Sequence, residues 1–200
     1  IGTGPVMDYL AHTGLDALKG ADILSSAPGM YSSTVEYGSD TVSQYMRNIV
    51  QTHLAGFGTR VLYTTAPFNS FDTHAGELAA HTRLWSETSR AVGDFYDDLK
   101  EHNAGENVIL MVFSEFGRRV KDNGSGTDHG TGGVAFVLGD HVKGGLYGEY
   151  PSLEPNKLED DGNLQNNVDV RRAYTTLLDQ WMSLDAKAIT GGNFEAIPFL

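Results

Sequence analysis

The stretch VILMVFSEFGRRVKDNGSGTDHGTGG, residues 108–133, contains the pattern that decides the fold. Its first six residues are apolar without alternation, which is typical of a short strand covered on both faces in a parallel sheet. Polar groups follow directly: Ser114, Glu115, two arginines, a glycine-rich loop and the pair Asp128 and His129. In α/β proteins, ligand sites gather where the strands of a parallel sheet end. The stretch therefore predicts a buried strand with chemical groups at its carboxyl end.

Helical patterns lie on both sides of this strand. Apolar residues recur at three- and four-residue steps in segments 41–56 and 168–184, and every seven residues in segment 77–102, which predicts three amphipathic helices. Asp40 is placed to cap the first of them, and Gly56 is placed to end it.

Other segments have weaker patterns. Apolar runs at 59–67 and 132–140 predict two further strands, and 143–151 predicts a hairpin or an irregular strand. The first forty residues are rich in Gly, Ser and Thr, so we expect an irregular surface segment with short helical turns at 6–12 and 15–24. Helices that alternate with strands predict one α/β domain over residues 1–200.

Composition excludes several function classes. The chain has 14 basic and 26 acidic residues, a formal charge of −12, and no basic patch, which argues against nucleic-acid partners. It contains no cysteine, so thiolate metal sites and cysteine nucleophiles are excluded. Apolar runs such as 108–113 are far too short for a bilayer, so no membrane span is expected.

Metal-ligand residue types stand after three of the predicted elements. Asp72 and His74 are two residues apart, so both side chains project from one face of an extended segment. Glu115 follows the central strand, and Asp128 and His129 lie in the glycine-rich loop. Without thiolates, imidazole and carboxylate are the usual ligands of Zn²⁺, Mn²⁺ or Fe²⁺. The pattern predicts a divalent-metal site.

Each of these groups also has an ordinary structural interpretation. Asp72 could cap the long helix, Glu115 could form an ion pair with an arginine, and Asp128 and His129 could belong to a capped turn. Arg118 and Arg119 are candidates for a bidentate hold on phosphate or sulfate, because guanidinium matches those oxyanions. Solvated or salt-bridged surface arginines are the alternative.

The segments FDTH (71–74), FSEFGRRVKDNGSGTDHGTGG (113–133) and GGNFEAIPFL (191–200) resemble the bacterial family called domain of unknown function 1501. The likeness runs over nearly the whole chain. It implies an alkaline-phosphatase-like fold, a doubly wound, mostly parallel sheet flanked by helices with two divalent metals at its strand ends. It also implies export, and a chain that corresponds to the C-terminal half of a larger domain.

The resemblance also implies roles for individual residues. Asp72 and His74 match the first metal-binding element of the superfamily, and His129 matches the last. Ser114 and Glu115 occupy the place of the second element, where an Asp-His pair would be expected, and Asp128 is an additional candidate. The attacking nucleophile would lie outside this chain.

These observations lead to one main hypothesis, a hydrolase of small-molecule or polymeric phosphate or sulfate esters that depends on a divalent metal ion, Zn²⁺ or Mn²⁺. The alternative is a catalytically silent exported protein that binds metal or anions. A third hypothesis is that the five candidate ligands are only helix caps and ion pairs.

Overall fold

The computed structural model describes residues 4–67, 70–160 and 162–200. They form two compact units, each described by itself below. Unit 1 comprises Ile1–Asp72 and Ala79–Ala104, and unit 2 comprises Thr73–Leu78 and Gly105–Leu200.

Unit 1 is helical in the described part of the chain. It contains α1 (Pro5–Met30), α2 (Thr41–Leu54) and all but the first two residues of α3 (Glu77–Glu101). The predictions of α2 and α3 are confirmed, as is the cap, because the side chain of Asp40 accepts a hydrogen bond from the backbone N–H of Ser43.

The expectation of an irregular segment over the first forty residues is wrong, because α1 is a helix of 26 residues. Pro5 stands in its first turn, where a proline costs no intrahelical hydrogen bond. Gly14 and Gly20 cost about 1 kcal/mol each relative to alanine. The helix also contains Pro28 and Gly29 near its end, and its leucines and alanines are strong helix formers.

Apolar residues from all three helices are buried in unit 1. The buried apolar residues of α3 are separated by seven, four and four positions, so they lie on one face of the helix. The buried apolar set comprises Ala27, Met46, Val50, Leu84, Ala91, Phe95 and Leu99. The strand predicted over residues 59–67 does not form. As described, unit 1 holds no strand with which that segment could pair.

Unit 2 contains two small antiparallel sheets. β1 (Leu110–Val112) pairs with β4 (Phe136–Leu138), and β2 (Gly117–Asp122) pairs with β3 (Thr127–Gly130). β1 and β4 lie within the two apolar runs that predicted strands, 108–113 and 132–140. Segment 143–151 forms no strand. The doubly wound, mostly parallel sheet stays a prediction that these four strands do not test.

The last part of unit 2 is helical, as predicted for segment 168–184. α4 (Val170–Thr176) continues into a π-helical turn (Leu177–Trp181), and α5 (Ala186–Thr190) follows. Thr176 binds the closing segment, because its hydroxyl accepts from the backbone N–H of Ile197 at 2.7 Å. Ile197 and Phe199 form a buried cluster with Ala173 of α4.

Among the described residues, no helix combines the length and the apolar character needed to cross a membrane.

Replacing Asp40 should destabilise unit 1 through α2. Asp40→Ala removes the acceptor for Ser43, and we expect a loss of about 1 kcal/mol in the free energy of unfolding at neutral pH. Asp40→Asn is the matched control, because it keeps a capping oxygen but loses the charge that pairs with Arg90 at 2.7 Å. Equal urea midpoints for wild type and Asp40→Ala would contradict this assignment.

The advantage of wild type over Asp40→Asn should depend on pH. Burial tends to raise the pKa of Asp40, but hydrogen bonds from Ser43 and Arg90 outweigh it, so the pKa is lowered from 3.8. A carboxyl with a lowered folded-state pKa stabilises the fold above its unfolded pKa. The difference in urea midpoint should therefore be present at neutral pH and disappear as the pH falls below 3.8.

Candidate metal centre

The segment 73–78 lies against the loop between β2 and β3, within unit 2. The backbone N–H of Gly76 donates to the carbonyl of Ser125 at 3.0 Å. The carbonyl of His74 accepts from the side chains of Asn123 and Ser125, each at 3.3 Å. These bonds hold segment 73–78 beside the loop, although about fifty positions separate the two in the sequence.

Glu77 is the anchor of this arrangement. Its carboxylate accepts from the backbone N–H of Thr127 at 2.7 Å and from the Thr127 hydroxyl at 2.9 and 3.0 Å. The Arg118 guanidinium lies 3.4 Å from the same carboxylate and also donates to the Thr127 carbonyl at 3.0 Å. Sequence reasoning missed Glu77, because an acid in the first turn of a helix is ordinary.

Two glycines permit the close approach of these backbones. A Cβ on Gly126 would lie 2.7 Å from the carbonyl oxygen of His74 and 2.9 Å from the carboxylate of Glu77. A Cβ on Gly117 would lie 1.6 Å from the carbonyl oxygen of Gly132. No side chain fits at either position, so the glycine-rich composition follows from packing as well as from turn geometry.

The imidazoles of His74 and His129 meet at this junction. Their ring centroids are 4.7 Å apart, and each ring offers a nitrogen within 4.8 Å of one on the other. Nδ1 of His74 lies 3.3 Å from a carboxylate oxygen of Asp128. A hydrogen bond from Nδ1–H to a carboxylate selects the tautomer whose lone pair is on Nε2, and it makes that nitrogen a stronger ligand.

His129 is held from two sides. Its ring stacks on Phe116, with centroids 3.8 Å apart and planes inclined by 11°. On β2, the Arg119 side chain donates its Nε–H to the His129 carbonyl at 3.2 Å. Arg118 pairs in register with His129 and lies over the Phe116 ring. The orientation of His129 is therefore set by the β2–β3 hairpin itself.

Asp128 is kept ionised by its neighbours. The Asn123 amide donates to it at 3.1 Å. This bond, followed by the one to His74, lowers the pKa of Asp128 from its usual value of 3.8. Asp128 is therefore positioned as an anionic partner for His74, at a site where both side chains are about half exposed to solvent.

Asp72 is the carboxylate nearest to His74 along the chain. It is the last residue of the first segment of unit 1, two positions before His74. Two trans peptide units limit the distance between their Cα atoms to about 7 Å. The role of Asp72 as a metal ligand stays a prediction from the sequence.

The remaining predicted site residues are placed differently. Glu115 is exposed, and among the described residues the group of possible metal ligands does not include it. Arg118 is engaged by Glu77 and the Thr127 carbonyl, which gives it a structural role in the hairpin. The structure therefore brings together His74, Asp128 and His129, with Arg119 on the adjacent strand.

The family model described as a protein of unknown function, DUF1501, matches residues 18–192. The chain belongs to the DUF1501 family. All the residues of the candidate centre in this DUF1501 chain lie within the matched region. Neither the curated proteins nor the solved structures gave a match.

Replacing Glu77 should destabilise the β2–β3 hairpin. We expect Glu77→Ala to lower the free energy of unfolding by about 2 kcal/mol, because it leaves the Thr127 N–H and Arg118 without their charged acceptor. Urea denaturation measures this loss. Glu106→Ala is the control, because Glu106 is an exposed acid in a separate turn and should change stability by less than about 0.5 kcal/mol. Equal losses in the two variants would contradict the anchoring role.

Proposed function

We propose that this DUF1501 chain carries the metal-binding part of a hydrolase of phosphate or sulfate esters, with His74 and His129 as ligands. The observation that supports it most is the pairing of two imidazoles within 4.8 Å, one of which is hydrogen-bonded through Nδ1 to Asp128. A carboxylate behind a ligating histidine is the usual outer partner in metal sites.

The residue types fit a divalent cation. Imidazole and carboxylate donors suit Zn²⁺ or Mn²⁺, and thiolates are absent from the sequence. Catalytic zinc sites use three protein ligands and keep one position open, and His74 and His129 would supply two of the three. A cation bound there would polarise an ester oxygen as a Lewis acid.

The other residues of the centre orient the two histidines or bind the substrate. Asp128 orients His74, and Phe116 supports one face of His129. We assign the binding of the non-bridging ester oxygens to Arg119, because its contact with the His129 carbonyl uses only one of the five guanidinium donors. Arg118 stabilises the β2–β3 hairpin through its contacts with Glu77 and the Thr127 carbonyl. The nucleophile is not assigned to any residue of this chain.

A second candidate function is an exported protein that binds metal or anions without catalysis. The exposure of His74 and Asp128, 47% and 58% of their side chains, favours it. Electrostatic catalysis is strongest where water is excluded. Because such an exposed site excludes little water, it suits binding better than catalysis.

The metal assignment is tested with the ligands replaced singly. His74→Ala and His129→Ala should each weaken Zn²⁺ and Mn²⁺ binding in calorimetry by more than the 10- to 100-fold typical of outer partners. His12→Ala is the control, since His12 lies on the exposed face of α1 and should leave the affinity unchanged. Unchanged metal content in His74→Ala would instead support the hypothesis that the five candidate ligands are only helix caps and ion pairs.

The activity is tested with the metal-loaded full-length protein and three substrates, an aryl phosphate, an aryl phosphodiester and an aryl sulfate. The hydrolase proposal predicts turnover of at least one, and Arg119→Ala should reduce it with metal binding retained. Arg119→Lys should restore little, because lysine lacks the planar fork of donors. Bound metal without turnover on any substrate would contradict the proposal and favour the second candidate.

A further inference from the structure

A second cluster of ionisable groups lies in unit 1, where segment 31–37 crosses the C-terminal turn of α3. The carboxylate of Asp98 is fully buried and accepts hydrogen bonds from Tyr31 at 2.5 Å and Tyr37 at 2.9 Å. One turn closer to the helix end, Glu101 accepts from the backbone N–H of Thr34 at 3.1 Å and from its hydroxyl at 2.6 Å. The segment is thus held by acceptors on α3.

His102 follows α3 and bridges two backbone carbonyls. Its Nδ1 lies 2.9 Å from the carbonyl oxygen of Asp98, and its Nε2 lies 2.9 Å from the carbonyl oxygen of Ser32. A carbonyl oxygen only accepts hydrogen bonds, whereas a neutral imidazole carries a single N–H. With a neutral ring, one nitrogen lone pair would face an oxygen lone pair. Only the imidazolium form donates to both carbonyls.

We propose that His102 is a pH-sensitive clasp, which as an imidazolium binds segment 31–37 to the end of α3 and as a neutral ring releases one of its two carbonyls. This inference is independent of the proposed hydrolase function. It concerns unit 1, and none of its residues belongs to the candidate metal centre.

The charges around the ring favour the imidazolium. On α3, a carboxylate oxygen of Asp98 lies 3.2 Å from Nδ1, and Glu101 is the adjacent residue. On segment 31–37, Tyr31 stacks on the ring with centroids 5.9 Å apart. Arg47 of α2 lies over the Tyr31 ring and is the opposing positive charge. The C-terminus of a helix also favours a cation.

The ionisation of these groups gives the direction of the effect. The hydrogen bond to the Asp98 carbonyl raises the pKa of His102 above 6.5, and burial opposes it only in part. A raised pKa in the closed state means that the clasp contributes fully below the pKa of the open state and is lost as the pH rises through the raised value. Burial is the largest cause that raises the pKa of Tyr31 and Tyr37, and the hydrogen bond to Asp98 is the second. Both phenols therefore stay neutral over the pH range in which His102 titrates.

Nitrogen-resolved NMR of the wild-type full chain tests the proposal directly. We expect His102 to titrate above pH 6.5 and to show proton signals on both ring nitrogens below that midpoint. Titration at or below 6.5, or a single ring N–H in acid, would overturn the proposal. This measurement needs no variant to fold.

Amide exchange at Thr34 tests the consequence for the segment. Each unit of rise in the pKa corresponds to about a tenfold change in the clasp equilibrium. Protection at Thr34, corrected for intrinsic pH dependence, should therefore fall as the pH rises through the raised pKa of His102, and His102→Gln should abolish that dependence.

His12→Gln is the matched control for exchange. Nδ1 of His12 contacts the carbonyl oxygen of Asp8, four residues earlier in the chain. Nδ1 of His102 makes the same contact with the carbonyl oxygen of Asp98. In the described part of the chain, its other ring nitrogen has no carbonyl partner, so this variant should keep the wild-type pH dependence. An identical pH dependence in wild type and His102→Gln would overturn the clasp.

Discussion

The hydrogen bonds of the Glu77 carboxylate join the two chain segments that carry the candidate ligands. This one side chain accepts from the backbone and the hydroxyl of Thr127 and pairs with Arg118. It is mostly buried, with 17% of its side chain exposed, so water competes poorly for these bonds. Because Thr127 begins β3, the bonds set where the next two residues, Asp128 and His129, lie relative to His74. The candidate centre depends on this contact.

The residues of the candidate centre are exposed and are held in place by contacts with one another. Asn123 holds Asp128, and Asp128 in turn contacts His74. Phe116, the residue directly before β2, stacks on the ring of His129. These contacts reduce the conformational freedom that binding a cation would otherwise remove, while the exposure of the site leaves it accessible to a large substrate. The two adjacent arginines differ in environment, which is why only Arg119 is assigned a role with substrate.

Much of the helical structure follows from local patterns, whereas the centre depends on contacts distant in sequence. The periodicity of segments 41–56 and 77–102 predicted α2 and α3, and Asp40 predicted the cap. α1 was missed because its apolar residues lie around the whole circumference and give no amphipathic stripe. The sequence indicated His74, Asp128 and His129 by residue type. It held no signal for Glu77, whose partner Thr127 lies fifty residues later.

The most direct test of the metal centre is X-ray absorption spectroscopy of the zinc-loaded protein at the Zn edge. We predict two imidazole ligands at zinc–nitrogen distances of about 2.0 Å together with oxygen ligands. His129→Ala should lower the imidazole count to one. A zinc shell made only of oxygen, or an imidazole count that His129→Ala leaves unchanged, would contradict the account.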